Sequence, residues 1–160
     1  MPVLQRLRED HADAVLEFEL TNREYFARFV SDRGAAFYED YPTSHRKRLA
    51  EQEAGTCMFH VLVDEDGSVV GRFNLTDIAD GRAEVGYRVG QAVAGRGVAT
   101  STLRELCDLA AAEYGLRVLF AETTNDNAAS RRVLEKAGFV NVGAATVAGR
   151  PGSVHERELY

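Results

Sequence analysis

Apolar residues recur along this chain with two periods, one of about 3.6 residues and one of about two. The first period is typical of an amphipathic helix and the second of a half-buried strand. The longer period predicts helices at residues 10–20, from residue 22 onward with Phe29 and Val30 included, at 42–54, at 98–114 and at 127–137. The shorter period and runs of β-branched residues predict strands at residues 3–7, 57–63, 69–78, 83–89, 118–123, 139–147 and after 152.

Turn residues separate these segments and define their order. Asp-Gly sequences at residues 64–67 and 80–81 predict that the three strands between 57 and 89 are antiparallel neighbours. Residues 33–41 follow neither period and are expected to be irregular. The order predicts one α/β (α+β) domain over residues 1–160, with helices on both faces of a mixed, mostly antiparallel twisted sheet of about seven strands.

Charge and composition exclude several classes of protein. The formal net charge of -6 and the isoelectric point near 5.3 argue against binding a nucleic-acid backbone or an anionic membrane. No segment approaches the roughly 20 apolar residues that span a bilayer, and no signal-peptide block is present. Cys57 and Cys107 lie in apolar segments, which indicates reduced core residues of a cytoplasmic protein. The four histidines are scattered, so no metal site is expected.

A glycine-rich loop carries the strongest chemical signal. Residues 95–100 lie between a predicted strand and the start of a predicted helix. Glycine lets a ligand approach the backbone closely, and the unpaired amides of a first helical turn favour an anion. The loop therefore predicts a pyrophosphate site, formed by Gly95, Arg96, Gly97, Val98, Ala99 and Thr100.

Two families of glycine loop fit this segment poorly. A Walker loop needs Gly-Lys-Ser/Thr, and here Val98 follows Gly97. The dinucleotide fingerprint matches in part, because Glu122 lies where a ribose-binding acid belongs, but Thr100 replaces the third glycine. Five residues, 90–94, also separate the loop from its strand. An NAD-type oxidoreductase domain remains an alternative on these residues.

A second motif makes a third family more specific. Residues 125–139, Asn-Asp-Asn-Ala-Ala-Ser-Arg-Arg-Val-Leu-Glu-Lys-Ala-Gly-Phe, resemble the Asn-x-x-Ser helix ending in Gly-Phe of the GNAT acetyltransferase superfamily. With Glu84-Val85-Gly86-Tyr87 and the glycine loop, they are similar to its Rim-like branch, which includes N-terminal acetyltransferases of ribosomal proteins. One departure is alanine at 92 and 94, where the family loop usually begins with Gln or Arg.

The resemblance implies acetyl-CoA as cosubstrate and assigns residues to it. The glycine loop would hold the pyrophosphate, and the pantetheine arm would pair with the preceding strand at Arg88 and Val89. Asn127 and Ser130 would also contact the cofactor, and Arg131 or Arg132 would reach the ribose phosphate. A non-catalytic acyl-CoA-binding sensor module with the same fold is a further alternative.

The resemblance also implies catalytic roles. Glu84 matches a carboxylate that takes the amine proton, although a Glu exposed at a strand start is an equal interpretation. Ser130 matches a residue near the CoA sulfur that can protonate the departing thiolate, and a first-turn Ser bound to helix amides is the alternative. The expected activity is direct N-acetylation of a primary amine.

The acceptor is the least specified part. The resemblance implies a protein N-terminus or a small-molecule amine, and the acidic net charge would suit a cationic one. Candidate walls are the aromatic residues Tyr25, Phe29 and Tyr38. His155 is expected to face solvent on the last strand, whose exposed edge offers a route to a homodimer.

Overall fold

The computed structural model describes residues 1–160 and contains seven strands and six α-helices. The strands are β1 (Val3–Arg6), β2 (Met58–Val63), β3 (Val69–Ala79), β4 (Arg82–Val89), β5 (Val118–Thr124), β6 (Val140–Val147) and β7 (Arg150–Glu158). The helices are α1 (Ala12–Thr21), α2 (Arg23–Ala27), α3 (Ala35–Glu39), α4 (Tyr41–Ala54), α5 (Val98–Tyr114) and α6 (Ala128–Lys136). Short 3-10 turns lie at Glu9–His11 and Gln91–Val93.

All strands belong to one mixed sheet in the order β1-β2-β3-β4-β5-β7-β6. The pairs β1/β2, β5/β7 and β6/β7 are antiparallel, and β4/β5 is parallel. The neighbours β3 and β4 are joined by Asp80 and Gly81 alone, a connection that only antiparallel strands allow. The expected α/β fold with a mixed, mostly antiparallel sheet is confirmed.

The parallel ladder between β4 and β5 is short. It pairs Arg82 with Val118 and ends with Glu84 opposite Phe120, although β4 continues for five more residues. The end of the ladder at Glu84 matters below, because backbone groups that leave a ladder need other partners.

The chain forms two compact units, residues 1–74 with 87–95 and residues 75–86 with 96–160. A single domain over residues 1–160 stays a prediction. The core of the first unit comes from α1, α2, α4 and β2, and it includes Val15, Phe18, Phe26, Tyr41 and Val61. In the second unit, the apolar side of α5 and strand β5 are buried, at Leu103, Leu106, Cys107, Ala110, Leu119 and Ala121. Cys107 is thus a core residue, as its helical spacing indicated.

Two helix predictions near the N-terminus were wrong. The second helix was expected to include Phe29 and Val30, but α2 ends at Ala27. The amides of Phe29 and Val30 both donate to the carbonyl of Phe26, so the chain closes in a turn and leaves both side chains exposed. The segment 33–41 was expected to be irregular and instead contains α3, which follows Gly34 in a left-handed conformation with φ +89°.

The expectation for the last strand was also wrong. β7 lies between β5 and β6, so its edges are both paired and β6 is the edge strand. His155 is consequently buried rather than solvent-facing, and its Nε2 lies 2.9 Å from Ser153 Oγ. A homodimer formed through β7 is therefore excluded by its two neighbours.

Gly152 of β7 provides a test of this strand order. A Cβ there would overlap the backbone carbonyl of Thr123 in β5 and lie 2.7 Å from Val147 in β6. We expect Gly152→Ala to lower the free energy of unfolding by about 1–3 kcal/mol in denaturant titration. Gly143→Ala is the matched control, because a Cβ there meets nothing within 4 Å, and its stability should change by less than about 0.5 kcal/mol. Equal stability of the two variants would contradict the interior position of β7.

Candidate functional site

The glycine loop has an unusual backbone conformation at both of its glycines. Gly95 and Gly97 have φ values of +77° and +75°, in the left-handed region that favours glycine. A Cβ at either position would meet no atom within 4 Å, so the two glycines are required by backbone conformation and not by lack of space. Gly97 is the residue that immediately precedes α5.

The first turn of α5 leaves its amides open. No side chain caps this helix, and the amide of Ser101 donates to the carbonyl of Gly97 over 3.1 Å. The amides of Val98, Ala99 and Thr100 precede this hydrogen bond, so the helix itself offers them no carbonyl acceptor. Arg96 is exposed within the loop. The segment thus combines open amides, the positive end of a helix and one cation, which together suit an anion.

The approach to the loop is held by Asn22, a residue that the sequence analysis missed. Its Oδ1 accepts a hydrogen bond from the Gln91 amide, and its Nδ2 donates to the carbonyl of Phe18, each over 2.9 Å. Gly90 packs beside it, and a Cβ there would lie 3.3 Å from the Phe18 ring. Asn22 follows α1 directly, so its position is typical of a helix end, and its partner is 69 residues away.

Glu84 lies among other carboxylates. Because Glu84 is paired with Phe120, its side chain shares a sheet face with Phe120 and with Glu122 two residues further along β5. Glu84 is half-buried, and burial, then Glu122 and Asp77, raises its pKa above the usual 4.5. These are the properties that a carboxylate needs to serve as a base near neutral pH.

From the sequence, neither Glu122 nor Asp77 is expected to influence Glu84. Glu122 was considered there only as a ribose-binding acid of the dinucleotide alternative. Asp77 lies within β3 but has a φ of +51°, a conformation that residues other than glycine seldom adopt. The sequence carries no signal for that conformation.

The Asn-x-x-Ser motif opens α6 as a capped helix. Asn127 precedes the helix, and its Oδ1 accepts a hydrogen bond from the Ser130 amide over 3.2 Å. Ser130 is half-buried in the first turn. Asn127 is therefore the cap of this helix, and its hydrogen bond sets the position of Ser130. Of the two arginines that follow, Arg132 is exposed, whereas Arg131 has a buried Nε without a hydrogen-bond partner.

Arg88 has a partner that its sequence context did not suggest. Its Nη1 lies 3.0 Å from Oε2 of Glu19, a fully buried residue of α1. The other oxygen of Glu19 lies 2.6 Å from Arg72 in β3 and 3.6 Å from Arg33. Burial alone would raise the pKa of Glu19, but Arg72, Arg88 and Arg33 outweigh it and lower the pKa. The Arg88 side chain is thus bound within the protein, which leaves its backbone for the pantetheine assignment.

The candidate acceptor walls fall into two groups. The rings of Tyr25 and Phe29 meet edge to face with centroids 5.3 Å apart. Tyr38 instead lies under the Arg23 guanidinium, 4.1 Å from its ring centroid, and its hydroxyl donates to Asp32 over 3.3 Å. Tyr25 and Phe29 are therefore joined by a ring contact, whereas Tyr38 belongs to a separate polar cluster with Arg23 and Asp32.

A comparison with protein families assigns this arrangement. The family model described as the acetyltransferase (GNAT) domain matches residues 3–140, which include the glycine loop, Glu84 and the Asn-x-x-Ser helix. The chain belongs to the GNAT acetyltransferase family. The membership makes it an N-acetyltransferase and favours the acetyltransferase interpretation of the glycine loop over the dinucleotide one. No helix of this GNAT protein is long and apolar enough to span a bilayer.

Curated relatives carry the same activity in their names. The chain is 30% identical over 142 residues to the probable N-acetyltransferase YjcK of Bacillus subtilis, covering 84% of this chain and 77% of the relative. It is 31% identical over 87 residues to an uncharacterized N-acetyltransferase, p20, of Bacillus licheniformis, covering 53% and 49%.

Solved structures show the same fold at lower identity. The ribosomal-protein-S5-alanine acetyltransferase of Vibrio fischeri superposes with a TM-score of 0.90 at 18% identity, covering 97% of this chain and 91% of that one. RimJ of Mycobacterium smegmatis, in complex with CoA-disulfide, has a TM-score of 0.86 at 22% identity, with coverages of 97% and 80%. The fold of this GNAT chain is that of Rim-type acetyltransferases.

The buried carboxylate of Glu19 predicts a large stability effect. Glu19→Gln removes the only charge that contacts three arginines, so we expect the free energy of unfolding at pH 7 to fall by about 3–5 kcal/mol. Glu17→Gln, on the exposed side of the same helix, should change it by less than about 0.5 kcal/mol.

The pH dependence of this effect has a definite sign. Because the folded pKa of Glu19 is lowered, its stabilisation is present above the ordinary value of 4.5 and is lost as pH falls through the folded pKa. The difference between wild type and Glu19→Gln should therefore shrink below pH 4.5. A difference that stays constant with pH in urea titrations would contradict an ionised Glu19.

Proposed function

We propose that this GNAT protein transfers an acetyl group from acetyl-CoA directly to a primary amine, either a protein N-terminus or a small molecule. The observation that carries the proposal is the open first turn of α5 behind two left-handed glycines. The strand that leads to it, β4, leaves its ladder with β5 at Glu84, so a cofactor arm has backbone to pair with.

The residues present fit acetyl-CoA, which supplies an acetyl group activated as a thioester. The pyrophosphate would be bound by the backbone of residues 95–100, with additional charge from Arg96. The pantetheine arm would pair with the backbone of Arg88 and Val89. Asn127 and Ser130 would contact the cofactor from α6, with Asn127 acting mainly through its hydrogen bond to the Ser130 amide.

Glu84 would act as the base. An amine attacks only when neutral, and an ammonium group, with a pKa of about 8 at a protein N-terminus or about 10 in an alkyl amine, must first lose a proton. The raised pKa of Glu84 brings it closer to that of the amine and makes it a better proton acceptor than an exposed carboxylate. Transfer forms one amide bond and breaks one thioester bond, and the proton released by the amine goes to Glu84 directly or through water.

Ser130 would relay to the departing thiolate the second proton that the nitrogen loses as the amide forms, so that its own hydroxyl is restored. A thiol has a pKa of about 8.5, so the thiolate is a fair leaving group near neutral pH without help. Ser130 is therefore an assisting residue, and its loss should slow the reaction without abolishing it.

The acceptor proposal draws on the likeness to Rim-type structures. One of these is named a ribosomal-protein-S5-alanine acetyltransferase, and another is described as modifying the N-terminal serine of protein L7/L12. Others are spermidine acetyltransferases with TM-scores near 0.8, for example 0.79 at 14% identity. Because the fold accepts both kinds of amine, an acetyl-CoA consumption screen should include N-terminal peptides, polyamines, aminoglycosides and amino acids.

The same screen tests the proposal. Turnover with any amine supports the proposed function, and binding of CoA without turnover over the whole panel would contradict it.

The pyrophosphate assignment predicts the effect of one loop substitution. Gly97→Glu places a carboxylate among the open amides, so we expect CoA affinity to fall by about 100-fold or more in calorimetry. Gly149→Glu is the matched control, because Gly149 has a φ of +76° and equally open surroundings in the turn between β6 and β7. It should carry the same backbone strain and retain CoA affinity. Retained affinity in Gly97→Glu would refute the site.

The base assignment predicts changes in rate and in pH profile. Glu84→Gln should lower kcat by about 100-fold with little change in CoA affinity, because it removes proton transfer and not binding. Wild-type kcat should rise with pH through the raised pKa of Glu84, and the variant should lose this limb. Glu122→Gln removes one of the charges that raise this pKa, so its limb should move to lower pH with the plateau retained. An unchanged pH–rate profile in Glu84→Gln would remove Glu84 from the mechanism.

A further inference from the structure

Four arginines of the first unit share one region and outnumber its carboxylates. This arginine cluster consists of Arg33, Arg48, Arg72 and Arg88, and Glu19 is the carboxylate among them. Each of the other three acts electrostatically on Arg33. Glu51 acts on Arg48 as a weaker influence. The cluster therefore has an excess of positive charge.

Glu19 has no capacity to neutralise the whole cluster. One of its oxygens is shared by Arg72 and Arg33, at 2.6 and 3.6 Å, and the other is taken by Arg88 at 3.0 Å. Arg48 does not reach Glu19 by an ion pair and donates instead to the side chain and carbonyl of Ser44. An ion-pair network stabilises a fold most when its charges balance, and the charges of the arginine cluster do not balance.

Arg33 is the member whose bonding is least complete. Its side chain is 26% exposed, yet its Nε is buried and has no hydrogen-bond partner. Burial and then Arg88 lower the Arg33 pKa to about 10. A buried donor without an acceptor is costly, and a guanidinium is built to bind carboxylate or phosphate oxygens.

The Phe37 ring holds two of the guanidinium groups in place. The Arg33 guanidinium lies 4.9 Å from the centroid of the Phe37 ring, and the Arg48 guanidinium lies 5.8 Å from the same centroid. Both cations are thus oriented by packing before any ligand arrives, which lowers the entropy cost of binding an anion. Phe37 belongs to α3, the helix that the sequence pattern did not reveal.

We propose that the arginine cluster binds a carboxylate or phosphate of the acceptor, so that the preferred substrate is an amine that carries a negative charge. The inference rests on the proposed function, since it concerns the acceptor of the same reaction. Arg88 connects the arginine cluster with the proposed cofactor site. Its side chain belongs to the cluster, and its backbone, with that of Val89, is assigned to the cofactor arm. Local charge thus reverses the expectation from the net charge of -6, which suits a cationic amine.

The test compares paired acceptors, of which one member carries an anionic group that the other lacks. The pairs are glycine and glycinamide, O-phosphoethanolamine and ethanolamine, and Asp or Asn as the second residue of an alanine-initiated peptide; spermidine is the cationic reference. They distinguish a free carboxylate, a phosphate and an acidic peptide as the source of the anion. In at least one pair, kcat/KM should be about tenfold or more higher for the anionic member.

Variants link the preference to the cluster. Arg33→Gln should lower kcat/KM for the anionic member about tenfold and leave its neutral partner unchanged, and Arg33→Lys should lose less. Arg46→Gln is the matched control, because Arg46 is an exposed arginine on the same helix as Arg48. Arg48→Gln serves as a second variant if thermal melts show that Arg33→Gln is unfolded.

A binding measurement keeps this inference separate from the proposed function. Calorimetry on the CoA-saturated protein should show tighter binding of the anionic members, weakened by Arg33→Gln, whether or not they are acetylated. Anionic binding without any turnover would support the cluster and overturn the proposed function. Turnover that ignores charge, a preference for spermidine, or no difference in binding within any pair would overturn the inference and leave the acetyltransferase proposal intact.

Discussion

The arrangement of the first unit depends on one buried carboxylate. Glu19 is fully buried and ionised, and an isolated charge in that position would be prohibitively costly. It is held there by Arg72 and Arg88, which come from two neighbouring strands of the sheet. Since neither arginine can lose the carboxylate without leaving a charge unpaired, α1 is fixed to the ends of β3 and β4 that carry them. A buried ion pair of this kind specifies an arrangement more than it adds stability.

The chain that leads to the glycine loop is bound to the same helix. Three residues after Glu19, Asn22 bonds to the amide of Gln91, so the end of α1 contacts the chain on both sides of Gly90. Within the loop, Gly95, Arg96 and Gly97 are exposed and the first-turn amides of α5 are open. An anion-binding loop must leave those amides unpaired, and rigidity must therefore come from the residues before it.

Much of the fold and of the candidate site could be predicted from the sequence, because the residue patterns that specify them are local. The left-handed glycines at 95 and 97, the cap at Asn127 and the strands between residues 57 and 89 depend on neighbours in the chain. Features that join distant segments were not predictable. In the sequence, Glu19 does not differ from the other polar positions of an amphipathic helix, and its partners Arg72 and Arg88 are 53 and 69 residues away. The interior position of β7 depends on its pairing with β5, which no local pattern encodes.

The same distinction applies to charge. A net charge of -6 sums groups over the whole surface, and beyond a Debye length of about 8 Å in physiological salt most of them are screened. Partly buried charges are screened much less, so a few of them can decide which ligand binds locally. In the first unit those few are arginines, and in the second the half-buried Glu84 is acted on by the exposed carboxylates of Glu122 and Asp77. Under the proposed acceptor preference, partly buried residues select the substrate, and the total composition does not reveal their number or sign.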